Sequence, residues 1–150
     1  MKKKRSEVMK NRQATTNDYE TIINLWDRSV TKTHDFLSLK DKEDIKQEIP
    51  MYFPHLDVRL WYVDNELIGF SGTNNQHLEM LFLEPAEIGK GYGKQLIQQL
   101  IRDFNIRSVD VNKDNENAKM FYLKNGFTIV NEEPTDSSGR PYPILHLVLT

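Results

Sequence analysis

Residues 76–104 read QHLEMLFLEPAEIGKGYGKQLIQQLIRDF, and the change of period inside this stretch decides the architecture. Gln76–Leu83 is an apolar run of strand length, closed by Pro85. From Tyr92 the spacing becomes helical, with Leu96, Ile97, Leu100, Ile101 and Phe104 on one face. Between strand and helix stands Gly89-Lys90-Gly91-Tyr92-Gly93, three glycines in five positions. A loop of this kind exposes unpaired N–H groups at the positive end of the helix dipole, a ready anion site. Alternate glycines permit unusual backbone angles and let a phosphate approach the main chain. Lys90 and Lys94 add positive charge. The chemical reading is a pyrophosphate cradle; the alternative is a tight strand-to-helix turn that binds nothing.

Spacing narrows the ligand. A dinucleotide fingerprint needs glycine at position 94, which is Lys94, and a Walker loop needs Ser or Thr where Gln95 stands and glycine where Ile88 stands. Both NAD and ATP are disfavoured.

Working outward, Val58–Val63, Leu67–Gly72 and Gln76–Leu83 are separated by Asp64-Asn65 and Thr73-Asn74-Asn75, so they predict an antiparallel meander. Upstream, Glu7–Arg12 reads as a first strand. Tyr19, Ile22, Ile23, Trp26 and Val30 predict a first helix to about Val30, capped by Thr15-x-x-Asp18 or Asn17-x-x-Glu20. A second helix is expected over about Leu39–Ile49, between Ser38 and Pro50, with Pro50 and Pro54 bracketing an irregular connection. Downstream, Ile106–Val111 follows a helix and should pair parallel through a right-handed crossover. A helix over Asn115–Lys124 ends at Asn125-Gly126, and Phe127–Val130 and Ile144–Leu149 are the final strands. The expected class is α/β with a mixed (α+β) sheet: a twisted sheet of about seven strands flanked by about four helices, in one domain over 1–150.

The 150 residues carry a net charge of −2, which opposes bulk attraction to nucleic acid or an anionic membrane. Lys2–Arg5 is read as a solvated basic tail over residues 1–6, with a short nucleic-acid arm as the rival. There is no cysteine, hence no disulfide, thiolate metal site or cysteine nucleophile. His34, His55, His77 and His146 lack metal-ligand spacing, so no metal is expected. No stretch approaches the roughly 20 apolar residues that span a bilayer. The expectation is a soluble cytoplasmic protein.

A second constellation lies on the helix after Val111. Asn115, Ala118 and Tyr122 fall within about 60° of one another, with Phe121 pointing elsewhere toward a core. Small Ala118 leaves room for something thin to lie along the helix. A phenol can donate a proton to a leaving group such as a thiolate; equally, a half-buried tyrosine can bond water or a carbonyl.

The glycine loop followed, one helix and one strand later, by Asn115-x-x-Ala118-x-x-Phe121-Tyr122-x-x-x-Gly126-Phe127 resembles the GCN5-related N-acetyltransferases (GNAT). The element order matches that family, and Thr33–Ser38 and Pro141-Tyr142-Pro143 look like its YjaB-like branch of small bacterial members. The resemblance implies the GNAT-type acyl-CoA N-acyltransferase fold and acetyl-CoA as cosubstrate. It further implies that Leu81, Phe82 and Leu83 pair through their backbone with the pantetheine arm. Gly89, Lys90, Gly91, Tyr92, Gly93 and Lys94 would hold the pyrophosphate by main-chain N–H groups. Asn115 would bond the cofactor arm, and Tyr122 would be the general acid beside the sulfur. Ile88 departs from the family, which usually has Gln or Arg there.

Direct transfer to an amine also requires a base. His77 and Glu79 alternate with Leu78 and Met80, which places both on the side shared with Leu81 and Leu83; they are candidate bases, or solvated residues at the strand's start. His34, Asp35 and Phe36 are candidate acceptor-cleft residues, although a cap or loop bond also explains Asp35. The acceptor is an amine of a small molecule or peptide, and the protein a monomer or homodimer. A catalytically silent acetyl-CoA-binding sensor is the rival reading.

Overall fold

The computed structural model describes residues 8–150; the basic run Lys2–Arg5 and the expected strand start at Glu7 lie outside them. The strands are β1 (Met9–Gln13), β2 (Asp57–Val63), β3 (Glu66–Asn74), β4 (His77–Leu83), β5 (Ser108–Asn112), β6 (Phe127–Glu133) and β7 (Ile144–Leu149). The helices are α1 (Tyr19–Thr33), α2 (Leu39–Tyr52), α3 (Tyr92–Phe104) and α4 (Glu116–Lys124). All seven strands form one mixed sheet in the order β1-β2-β3-β4-β5-β7-β6. Every neighbouring pair is antiparallel except β4 and β5, which α3 connects.

Local chemistry sets these elements. Thr15 and Asp18 form the expected capping box ahead of α1, and Arg12 donates to both Asp18 oxygens at 2.8 Å. Asp64 and Asn65 both take positive φ, so the β2–β3 connection is a two-residue turn of the kind that matches strand twist. Ser38 caps α2 by accepting the Asp41 N–H at 3.1 Å. Contrary to the expected stop, α2 continues through Pro50 to Tyr52, and Phe53–His55 adds a 3-10 turn. Pro50 sits in the last turn, where its missing N–H forfeits one bond and only two residues follow. The fifth strand starts at Ser108 rather than Ile106, because Asn105 ends α3 in a left-handed conformation and Ile106 is consumed in the core.

The sheet separates two cores. On one face, Leu78, Leu96, Ile97, Leu100, Val109 and Leu147 pack with α3 and α4. On the other, Ile22, Leu25, Trp26, Val30, Leu60 and Phe70 pack with α1 and α2. Trp61 is fully buried and donates its indole N–H to Ser71 Oγ at 2.8 Å, a bond worth about 1 kcal/mol.

Two irregularities create the site. Gly72 pairs with Met80 but Thr73 with Leu78, so Glu79 is the extra residue of a bulge. The bulge reverses the alternation: Leu78, Leu81 and Leu83 face the α3/α4 core, while Met80 and Phe82 face the α1/α2 core. The expected common face of His77, Glu79, Leu81 and Leu83 therefore does not exist. Second, β4 and β5 pair only at His77–Ser108 and Leu78–Val109, and then part. Among the described residues no helix is long and apolar enough to cross a membrane.

Candidate active site: two clefts at the parted strands

Beyond Leu78, β4 has lost β5 as a partner, so its β5-facing amides turn toward open space. The gap is walled by Leu78–Phe82, Val109–Asn112, Asn115, Ala118 and Tyr122, with His34 at its mouth. It joins two larger clefts.

The first, about 400 Å³, runs from Leu81, Phe82 and Leu83 along the glycine loop to α4. Gly89, Gly91, Gly93 and Lys94 line it on one side, and Asn115, Ala118 and Tyr122 on the other. Gly89 and Gly91 have φ of +88° and +86°, and a Cβ at either would meet no atom within 4 Å. Outside the α-helix the loop's bonds are Ile88 N–H to Pro85 and Gln95 N–H to Gly91. The N–H groups of Gly89, Lys90, Gly91, Gly93 and Lys94 have no carbonyl acceptor among the described residues. Such a run of amides without carbonyl acceptors fits a diphosphate. Lys90 lies outside the cleft and pairs with Glu87 at 3.3 Å, and the Tyr92 ring is buried in the core, so neither side chain faces a ligand there. Ile88 lines the cleft rim.

Tyr122 is 6% exposed and packs edge-on against Phe121 and Phe127, with ring centroids 5.1 and 5.7 Å away. Burial pushes its phenol above the ordinary value, which holds it protonated. Phe121 packs against the α3/α4 core, as expected, and also lines the same cleft. Asn115 is the N-cap of α4: its Oδ1 accepts the Ala118 N–H at 3.2 Å.

The second cleft, about 540 Å³, lies between α1, α2 and the β6–β7 loop. Glu48, Glu79 and Asp136 bring carboxylates to it, with Trp26, Tyr52 and Phe82 as apolar wall. Arg140 ties Glu48 (2.7 Å) and Asp136 (3.3 Å) together, and Tyr142 donates to Asp41. Arg140, Glu48 and Asp136 are not among the expected site residues; their places come from contacts across the fold.

Of the three expected acceptor residues only His34 lines the cleft; the Phe36 ring lies tilted against it with centroids 5.2 Å apart, and Asp35 is exposed. His34 also lines the first cleft, and burial lowers its pKa to about 4. The candidate bases separate. Glu79 lines the second cleft and the strand gap. His77 lines neither: its Nδ1 lies 2.6 Å from Ser108 Oγ and its Nε2 3.3 Å from Asp110, whose other oxygen is 2.6 Å from His146 Nδ1. Among the described residues no cluster of three or more His, Asp or Glu is placed to hold a metal.

Comparison with known proteins gives this geometry its family. The model of the acetyltransferase (GNAT) domain matches residues 16–142. The peptidyl-lysine N-acetyltransferase YjaB of Escherichia coli (strain K12) is 32% identical over 143 residues, covering 93% of this chain and 96% of the relative. A second relative from that strain, the peptidyl-lysine N-acetyltransferase YiaC, is 29% identical over 135 residues, 87% and 90% of the two chains. The solution structure of apo YjaB from Escherichia coli superposes with a TM-score of 0.86 at 29% identity, covering 95% of this chain and 98% of that one. The PaiA N-acetyltransferase of Thermoplasma acidophilum, crystallised with coenzyme A, shares the fold with a TM-score of 0.62 at 24% identity, over 93% and 98% of the chains. Matched by the family model over residues 16–142 and by a relative 32% identical over 93% of its length, the chain belongs to the GNAT family of acetyltransferases.

Proposed function

We propose that this protein is an acetyl-CoA-dependent N-acetyltransferase acting on the ε-amine of lysine in a peptide or protein, by direct transfer with donor and acceptor bound together. The observation that carries this reading is the parting of β4 and β5: it joins a cleft edged by free loop amides to an acid-lined cleft, with Tyr122 on the joining gap. Bound acetyl-CoA supplies the activated acyl thioester.

The chain's own residues do the rest. Amides of Gly89, Lys90, Gly91, Gly93 and Lys94 and the Lys94 ammonium bind the diphosphate, and Leu81–Leu83 offer backbone pairing to the amide-bearing arm. Asn115 adds a side-chain bond to that arm. A β4 amide near the bulge stabilises negative charge on the acetyl oxygen. Glu79, open to acceptor cleft and gap alike, takes a proton from the incoming amine. Tyr122 delivers its proton to the departing sulfur; its raised pKa ensures that the proton is present at neutral pH. The carboxylates of Glu48, Glu79 and Asp136 favour a cationic side chain. The names of the relatives support the same substrate class.

The test is thiol release and mass spectrometry with acetyl-CoA and two peptides, one with a free lysine and a blocked N-terminus, the other the reverse. Acetylation confined to the lysine peptide is expected. Coenzyme A binding without transfer to either peptide would contradict the reading.

A further inference from the structure

A run of four hydrogen bonds connects α1 to α4 across the mouth of the gap, and all of them point the same way. Thr33 Oγ1 donates its one proton to the Ser29 carbonyl at 2.8 Å. The 2.7 Å contact between Thr33 Oγ1 and His34 Nδ1 therefore needs the ring N–H as donor. That fixes the tautomer and leaves a lone pair on Nε2. From the other end, Asn115 Oδ1 is committed to the Ala118 N–H, so its Nδ2 faces His34 Nε2, at 3.3 Å, and donates. Backbone groups at both ends dictate the polarity, and the ring between them is uncharged. A second proton on the ring would set Nε2–H against the Asn115 NH₂, donor against donor. The imidazole is further held by Phe36 and Phe82, with centroids 5.2 and 6.1 Å away.

The position of the ring gives the network its meaning. His34 lines both clefts, whereas Asn115 lines the donor cleft and not the acceptor cleft. An amide NH₂ carries two protons. One goes to His34, and the other remains for a carbonyl oxygen in the donor cleft. We propose that His34 is a positioning residue: its Nδ1-protonated imidazole holds the Asn115 carboxamide with one N–H presented to the amide arm of the acyl donor. This rests on the reading of Asn115 as a donor contact. Removing the ring nitrogen frees the carboxamide to swing and costs donor affinity through Asn115, so the two losses should not multiply.

The experiment is calorimetric titration of coenzyme A into the parent protein, His34→Phe, His34→Gln, Asn115→Ser and the double variant His34→Phe/Asn115→Ser. Phe keeps the aromatic packing but cannot accept a bond; Gln offers an amide oxygen near the place of Nε2; Ser retains helix-capping ability without the NH₂. His34→Phe and Asn115→Ser should each weaken binding about tenfold, the size of one lost hydrogen bond. The double variant should bind no more weakly than Asn115→Ser alone, and His34→Gln should recover most of the loss. Multiplying losses in the double variant, or parent-like affinity in His34→Phe while Asn115→Ser is impaired, would overturn the role of His34 and leave the Asn115 contact standing. Parent-like affinity in Asn115→Ser would remove the Asn115 contact itself, and this inference with it. Thermal melts separate these effects from unfolding, and His34→Leu, equally unable to accept a bond, takes the place of His34→Phe if that variant does not fold.

Discussion

Arg140 Nη2 lies 2.7 Å from Glu48 Oε1, and this contact joins the β6–β7 loop to α2 across 92 positions of chain. Asp136 accepts from the same guanidinium, Tyr142 bonds Asp41 and the Ser38 N–H, and Phe36 meets the Tyr142 ring edge-on at 6.1 Å. The guanidinium bridges two of the three carboxylates in the acceptor cleft, offsets one of their charges and holds the loop as its wall. Arg140→Met keeps the apolar stem and deletes the charge. It should raise KM for a lysine peptide roughly three- to tenfold, the scale of a partly exposed charge-assisted bond. Coenzyme A affinity should stay within about twofold, since the donor cleft does not include the loop. Steady-state kinetics and calorimetry on one preparation read both.

Asp110, between His77 and His146, makes stability depend on pH in a definite direction. Its own desolvation raises its pKa, but bonds from His77 and His146 outweigh that and hold it below the usual carboxylate value. The same bond with Asp110 raises His77 above its ordinary value against desolvation. A depressed carboxylate contributes stability above its unfolded pKa, near 3.9, and loses it as pH falls through the folded value. A raised imidazole contributes below its unfolded pKa, near 6.5, and loses it as pH rises through the folded value. The cluster therefore stabilises most between about pH 4 and 6.5. Because Asp110 is 37% exposed, solvent screening keeps the effect under about 1 kcal/mol. Urea unfolding of the parent and Asp110→Asn should show the largest difference near pH 5.5 and a smaller one at pH 8; an unvarying difference would contradict the cluster's role.

Gly91 is the residue on which the loop's geometry turns. Its φ of +86° is a left-handed conformation, and a Cβ there projects into open cleft rather than into protein. Gly91→Val adds backbone strain of about 1–2 kcal/mol and fills the phosphate space. Coenzyme A binding should fall by more than about tenfold with native circular dichroism retained. Lys90→Ala serves as the control: that side chain lies outside the cleft, and its removal should leave affinity within about twofold.

What the sequence disclosed and what it withheld follow from the range of the interactions. The Thr15–Asp18 box, the Asp64-Asn65 turn and the positive φ of Gly89 and Gly91 are local, and the residues that need them are legible in place. The face of His77 and Glu79 was misread because a bulge is a matter of register between strands: nothing in HLEM announces that Glu79 has no partner on β3. Likewise Pro50 marks a lost bond but not whether the helix already has enough turns to tolerate it. Arg140 with Glu48, and His34 with Asn115, are 92 and 81 positions apart, so their partners appear only once the sheet is assembled.

The central claim is that the Tyr122 proton serves the chemistry and not the hold on the donor. Tyr122→Phe keeps the ring against Phe121 and Phe127 and removes only the hydroxyl. Side-by-side measurement of kcat with a lysine peptide and of coenzyme A affinity decides it. A fall in kcat of about a hundredfold or more with affinity unchanged is predicted; turnover at the parent level, or a loss confined to coenzyme A binding, would contradict it.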